Sequence, residues 1–77
     1  MKNMGIKQYV VKRAGGWAVV GEGNSRATSI RPTQQEAVQR ASEIARNQRS
    51  EVVIYGDNGQ IRETNSFRHS AGNWLRV

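Results

Sequence analysis

The segment 32–48 constrains the fold most, because it has both a helical start signal and a helical period. Thr33 followed by Glu36 is a capping box, in which the threonine side chain accepts from the amide three residues on and the glutamate reaches back. The apolar residues that follow at helical spacing are mostly small: Ala37, Val38, Ala41, Ile44 and Ala45. A narrow stripe of small side chains lets a helix lie close against a sheet, whereas a bundle would normally use more leucine. The pattern predicts one helix over about 34–48, packed on a sheet.

The segments on either side of this helix have the composition of strands. Residues 6–13 and 17–21 mix β-branched and aromatic residues around Gly15-Gly16, which indicates a hairpin with a tight turn. Residues 26–31 give a third, short strand with thin alternation. After the helix, 51–55 is apolar enough to be central. Asn58-Gly59 then turns the chain into 60–65, a more polar strand expected at an edge.

The order of these elements predicts an α+β fold. It is an antiparallel sheet of four to five strands with one helix packed on one face, written β-β-(β)-α-β-β. The 77 residues make a single domain over 1–77, with a compact part at about 6–67 and a tail at 68–77 whose order the sequence leaves open. Trp17 is the expected core anchor, since large apolar residues are few.

Three blocks of residues, taken in order, are similar to a known family. The blocks are Gly15-Gly16-Trp17-Ala18-Val19 with Gly23 and Arg26, then Thr33 with Glu36-Ala37, Ala41 and Ile44-Ala45, and last Glu51-Val52-Val53-Ile54 with Asp57, Gly59, Ile61-Arg62 and Ser66-Phe67. Over about 9–67 the pattern resembles a small bacterial and phage family of basic, stand-alone proteins of unknown function. The resemblance implies a bacterial, cytoplasmic protein with one compact domain, and it brings no catalytic or binding residue. The end at 73–77 departs from the polar tail expected of that family.

Catalytic and metal chemistry find little support in the residue types. Cysteine is absent, and the one histidine, His69, has no acidic residue nearby to orient it. The glycines form no phosphate-binding loop ahead of the helix. We therefore expect no enzyme, no cofactor and no metal. The lack of cysteine and of any long apolar stretch, at the N-terminus or elsewhere, favours a cytoplasmic protein without a signal peptide or membrane contact.

The charge balance gives the first functional hypothesis. The formal net charge is +6, from 12 Lys and Arg against 6 Asp and Glu, and no acidic residue precedes Glu22. Such an excess attracts polyanions. We therefore predict non-specific nucleic-acid binding, with Tyr9 or Trp17 as a candidate surface for stacking bases if the free face of the sheet carries it. The expected phosphate contacts are Lys12, Arg13, Arg26, Arg31, Arg46 and Arg49.

The second hypothesis is a protein-interaction or homodimerisation module. An exposed edge strand over 60–65 invites pairing with another chain. Trp74 and Leu75 near the end of the sequence could anchor a partner or a twin subunit, because tryptophan is enriched at binding hot spots. The same segment could instead fold back over the open face of its own sheet. The residues favour neither interpretation of this end over the other.

Overall fold

A computed structural model of the chain describes residues 6–67, which form five strands and one helix. In chain order the elements are β1 (Gln8–Arg13), β2 (Gly16–Gly21), β3 (Ser29–Arg31), α1 (Gln34–Gln48), β4 (Glu51–Tyr55) and β5 (Ile61–Ser66). The helix has the predicted bounds, and the thinly alternating third segment forms a strand of only three residues. The α+β class with one helix on one face of a sheet is confirmed.

The strands lie in the order β3-β2-β1-β4-β5, so the predicted polar strand is at an edge as expected. The sheet is mostly antiparallel, but its central pair, β1 and β4, is parallel, with Gln8 opposite Val52 and Val10 opposite Ile54. This pair differs from the wholly antiparallel sheet of the prediction. The reason is the helix: α1 carries the chain from the end of β3 back along one face, so β4 starts where β1 starts. Parallel neighbours require such a crossover connection.

The core lies between α1 and one face of the sheet. Val10, Val19 and Val52 are fully buried there, and Trp17 and Ile54 lie beside them. The helix contributes Ala37, Ala41 and Ala45, each with no exposed surface. The stripe of small side chains therefore rests directly on the sheet, and the prediction of Trp17 as a core residue is confirmed.

Both ends of α1 are closed by local hydrogen bonds. Thr33 has extended backbone angles, and its Oγ1 accepts from the Glu36 amide at 3.2 Å, which is the first half of the predicted capping box. At the other end Arg49 adopts the left-handed conformation, with φ 54° and ψ 52°. Its amide and that of Ser50 donate back to carbonyls of the last turn. The turn into β4 is thus set by backbone geometry.

Replacing the N-cap is expected to weaken the domain measurably. Thr33→Ala leaves the Glu36 amide without its side-chain acceptor, and such caps contribute about 1 kcal/mol. We expect the free energy of unfolding to fall by about that amount in urea titrations followed by circular dichroism. Thr28→Ala, at an exposed position in the loop between β2 and β3, is the matched control and should change it by less than about 0.5 kcal/mol. Equal effects of the two substitutions would contradict the cap.

Candidate nucleic-acid interface

The sheet has a second face, turned away from α1. Directly paired residues share a face, and Tyr9 lies opposite Val20 of β2 and Val53 of β4, whereas the neighbouring Val10 points to the helix. By the same register Ile30, on the edge strand β3, joins this outer face. Among residues 6–67 no helix or further strand covers it. We call this surface the helix-free face.

Two tyrosines lie at its centre. Tyr9 of β1 and Tyr55 of β4 are half-buried, and their ring centroids are 6.3 Å apart with the planes tilted by 43°. The sequence had suggested Tyr9 or Trp17 as the ring for stacking bases. Trp17 points to the opposite face and is only 8% exposed, so it is unavailable for that role. Tyr55 was missed, because its place beside Tyr9 depends on the parallel pairing of two strands that are distant in sequence.

Charged groups border the tyrosines on the same face. Arg13 has the strand parity of Tyr9 and is exposed at the turn between β1 and β2. Glu51 of β4 also belongs to this face, and its Oε1 lies 3.9 Å from the Lys7 Nζ. Glu63, by contrast, lies opposite Ile54 and therefore on the helix side. Glu51 is thus the one carboxylate that the five strands place on the helix-free face, and it is partnered.

The six cations predicted to contact phosphate do not lie together. Lys12, Arg13 and Arg31 are at the end of the sheet that carries the β1–β2 turn, since Trp17 pairs with both Lys12 and Arg31. The others are near the opposite end of the sheet. Arg26 follows β2, Arg46 lies in the last turn of α1, and Arg49 follows α1. A single patch containing all six is therefore not what the fold provides, and which of them contact a ligand stays a prediction.

Several of these cations already have a neighbour. The Lys12 Nζ lies 3.5 Å from Asp57 Oδ1 and 5.1 Å from the centroid of the Trp17 ring. The Arg46 guanidinium lies 5.2 Å from the Phe67 ring. Such contacts favour the charged group through the electron-rich ring face, and they hold the side chain in place.

Three predicted cations are different. Arg13, Arg26 and Arg49 are exposed, and within residues 6–67 none of them forms an ion pair with a carboxylate, a side-chain hydrogen bond or a contact with an aromatic ring. We call them the unpaired arginines.

A shallow cleft of about 500 Å³ opens beside the β4–β5 turn. Its polar lining includes Gln34, Asp57, Asn58 and Arg62, and one wall is the edge of Trp17. Arg62, which the sequence prediction omitted because its segment is acidic overall, donates to Gln34 Oε1. Across residues 6–67 no three His, Cys, Asp or Glu side chains gather into a group that could hold a metal ion. The cleft offers hydrogen bonds but no nucleophile with an adjacent base.

The proposed partner anchor, Trp74 and Leu75, lies outside the described residues. His69 also lies outside them. The edge strand β5 is present, and Ile61 at its start is 60% exposed.

The α1 helix ends after 15 residues, and no helix in the described part of the chain is long and apolar enough to cross a membrane.

These features define a small α+β domain with a mixed five-stranded sheet and one helix. The chain belongs to a family described as "Uncharacterized protein conserved in bacteria" (DUF2188), which matches residues 8–67. It is 37% identical over 59 residues to "Uncharacterized protein YdaT" of Bacillus subtilis (strain 168). That match covers 77% of this chain and 39% of the relative, so the chain spans about two fifths of the relative's length. No solved structure matches the chain. The resemblance to an uncharacterised bacterial family is confirmed.

Proposed function

We propose that this domain is a non-enzymatic, cytoplasmic accessory protein that binds nucleic acid without reading its sequence. The observation that carries the proposal is the set of unpaired arginines: Arg13, Arg26 and Arg49 are exposed and form no ion pair with a carboxylate among residues 6–67. An exposed guanidinium donates up to five N–H bonds in a fork that matches phosphate oxygens. When an arginine without a carboxylate partner contacts phosphate, only water and counterions are displaced, and no ion pair within the protein has to be broken.

The acidic residues oppose such binding less than their number suggests. Among residues 6–67, three of the six lie within 4 Å of a cation: Glu51 beside Lys7, Asp57 beside Lys12, and Glu43, whose Oε1 lies 3.0 Å from Arg40 Nη1. In each pair one positive and one negative charge cancel at long range, so the pairs leave the net charge unchanged. The net excess of +6 therefore resides on the remaining cations, which can attract and hold a polyanion.

The unpaired arginines lie at both ends of the sheet. Arg13 is the last residue of β1, while Arg26 and Arg49 are at the opposite end, after β2 and α1. A ligand that contacts both ends has to extend along the strands, as a polymer can and a small anion cannot. Contacts to the phosphate backbone alone carry no base information, which fits binding without sequence preference.

Neutralising the unpaired arginines is expected to remove most of the salt dependence of binding. For the full chain and labelled 20-nucleotide single and double strands, anisotropy should show affinity that falls steeply between 50 and 200 mM salt, by about one logarithmic unit per decade of salt for each phosphate contact. The triple variant Arg13→Gln, Arg26→Gln, Arg49→Gln should lose up to three contacts. We expect its slope to be shallower by about two to three units on duplex DNA.

The chain offers a control that removes the same net charge. Lys7→Gln, Lys12→Gln, Arg40→Gln neutralises three cations that already face carboxylates. Its salt slope should stay close to that of the unchanged protein, because those side chains are engaged elsewhere. Equal losses in the two triple variants would contradict the assignment to the unpaired arginines. No binding by the unchanged protein at 50 mM salt would contradict the proposed function itself.

A partner-binding or homodimerisation module is the second candidate, favoured by one observation. The strand β5 is an edge of the described sheet and begins with Ile61, whose side chain is 60% exposed. Edges of this kind pair with other strands unless charge or covering prevents it. Sedimentation velocity distinguishes the two candidates: a dimer that Ile61→Lys dissociates would favour pairing at this edge. A monomer at all concentrations would remove self-association, and deletion of 73–77 tests the contribution of Trp74 and Leu75 in the same assay.

A further inference from the structure

We infer that the helix-free face is a base-stacking platform for single-stranded nucleic acid, with Tyr9 and Tyr55 as its two stacking rings. The inference rests on the proposed function, and it adds a site and a strand preference that phosphate contacts alone do not supply.

The position of the rings is the first argument. Tyr9 and Tyr55 lie on the two central strands of the sheet, and the parallel register places them diagonally, with Tyr9 opposite Val53. Their centroids are 6.3 Å apart, and the 43° tilt means that the rings do not stack flat on each other. Both are half-buried, with neither helix nor strand above them among residues 6–67. Each ring is therefore placed to receive a flat partner from outside.

The surroundings of the rings form the second argument. Val11 and Val20 are half-buried on the same face, and Ile30 of β3 is 57% exposed there. The helix-free face thus carries apolar side chains from the edge strand β3 across to the two tyrosines. Exposed apolar patches that continue over several strands are uncommon on small soluble domains and mark binding surfaces. Here the rings lie on the two central strands, and the aliphatic chains continue from them toward β3.

Charge decides what kind of partner fits. On this face Glu51 faces Lys7, and Arg13 is exposed without a carboxylate partner among the described residues. Thr64 of β5, which lies opposite Val53, adds an exposed hydroxyl group to the same face. An anionic polymer that bears flat rings satisfies both the arginine and the tyrosines. A second copy laid face to face would bring no uncommitted strand carboxylate to Arg13 from the described part of its own helix-free face, since Glu51 faces Lys7 there.

The strand state follows from access to the bases. In a duplex the flat faces of the bases are stacked on each other, so a protein sheet can reach them only in an unpaired strand. Duplex binding would use the phosphates and the unpaired arginines, whereas single-strand binding would add the two rings. The same domain should therefore bind an unstructured single strand more tightly than a duplex at equal salt.

The test substitutes the rings in the full chain and measures anisotropy with labelled (dT)12 and U12, beside a 12-base-pair duplex. Tyr9→Leu and Tyr55→Leu keep an apolar side chain but remove the ring. Each should lower single-strand affinity by about tenfold, the scale of one lost base–aromatic stack, and the pair by more. Duplex affinity should stay within about twofold. Tyr9→Phe and Tyr55→Phe keep the ring and should bind (dT)12 as the unchanged protein does, and circular dichroism melts confirm folding of every variant.

The possible outcomes distinguish failure of the stacking platform from failure of the proposed function. If the unchanged protein binds no nucleic acid, both fall. If it binds single and double strands alike and the double leucine variant matches it, the platform is overturned while phosphate binding stands. Loss of (dT)12 affinity in the phenylalanine variants equal to that in the leucine variants would also overturn stacking. Nitration of Tyr9 and Tyr55 by tetranitromethane checks access: unreactive rings in the full chain would mean that the chain itself or a second copy covers the face.

Discussion

Trp17→Ala is expected to lower the free energy of unfolding by about 3–5 kcal/mol. A single core in a domain of this size rarely supplies more than about 3–5 kcal/mol, so the variant should be largely or partly unfolded in water. Trp17 is 8% exposed and packs in the cluster with Val10, Val19 and Ile54. Because the buried residues of the helix are all alanine, the helix has little side-chain volume with which to fill the space that the indole leaves.

Far-ultraviolet circular dichroism in a urea titration measures this loss without depending on the removed fluorophore. Ile61→Ala is the matched control, since it also deletes apolar atoms but at a side chain that is 60% exposed. It should cost less than about 1 kcal/mol. Trp17→Phe should fall between the two, because it keeps an aromatic ring in the core and leaves a smaller cavity. A loss below about 1 kcal/mol in Trp17→Ala would show that the indole does not hold the helix on the sheet.

Gly16→Ala should be the second most damaging single change, although it adds only one methyl group. Gly16 has φ +145°, which non-glycine residues rarely adopt. A Cβ at this position would lie well under 3.0 Å from the Arg31 carbonyl oxygen and 3.4 Å from the Pro32 Cα. Strain at the backbone and the overlap with β3 together should cost about 3 kcal/mol. The same urea titration measures it.

The neighbouring glycine provides the control. Gly15→Ala places its Cβ where no heavy atom lies within 4 Å, and Gly15 is not among the glycines with positive φ. Its free energy of unfolding should change by less than about 0.5 kcal/mol. If the two alanine variants were equally stable, the close approach of β2 to the Arg31 backbone would be contradicted. The pair therefore separates the general flexibility of a Gly-Gly turn from a steric requirement at one position.

Much of the fold was predictable because its signals are local. The start of α1 follows from Thr33, whose side chain accepts from the amide three residues on, and its buried side follows from the alanines at positions 37, 41 and 45. The first hairpin follows from two glycines between β-branched segments, and the β4–β5 turn from Asn58-Gly59, with Gly59 at φ 81°. Each of these features depends on residues within a few positions of one another, so the local sequence is sufficient to predict it.

The candidate site was only partly predictable because its members are distant in sequence. Tyr9 was recognised and Tyr55 was not, since their contact needs β4 to return beside β1. Lys12 looked like a free cation in the sequence, but the β4–β5 turn brings Asp57 to within 3.5 Å. The six predicted cations are spread along the sequence, and nothing in the sequence indicates that the fold places them at two ends of the sheet.

The sequence by itself thus determined where the helix and strands are, which residues turn the chain, and that the helix lies close against a sheet. Those properties arise from backbone geometry, side-chain size and periodicity over short spans. Only the tertiary structure decided that the central strands are parallel, that Tyr9 meets Tyr55 on the helix-free face, and which arginines have no carboxylate partner within residues 6–67. Strand neighbours after a crossover are selected by burial of the whole apolar set at once, and no short segment of sequence carries that information.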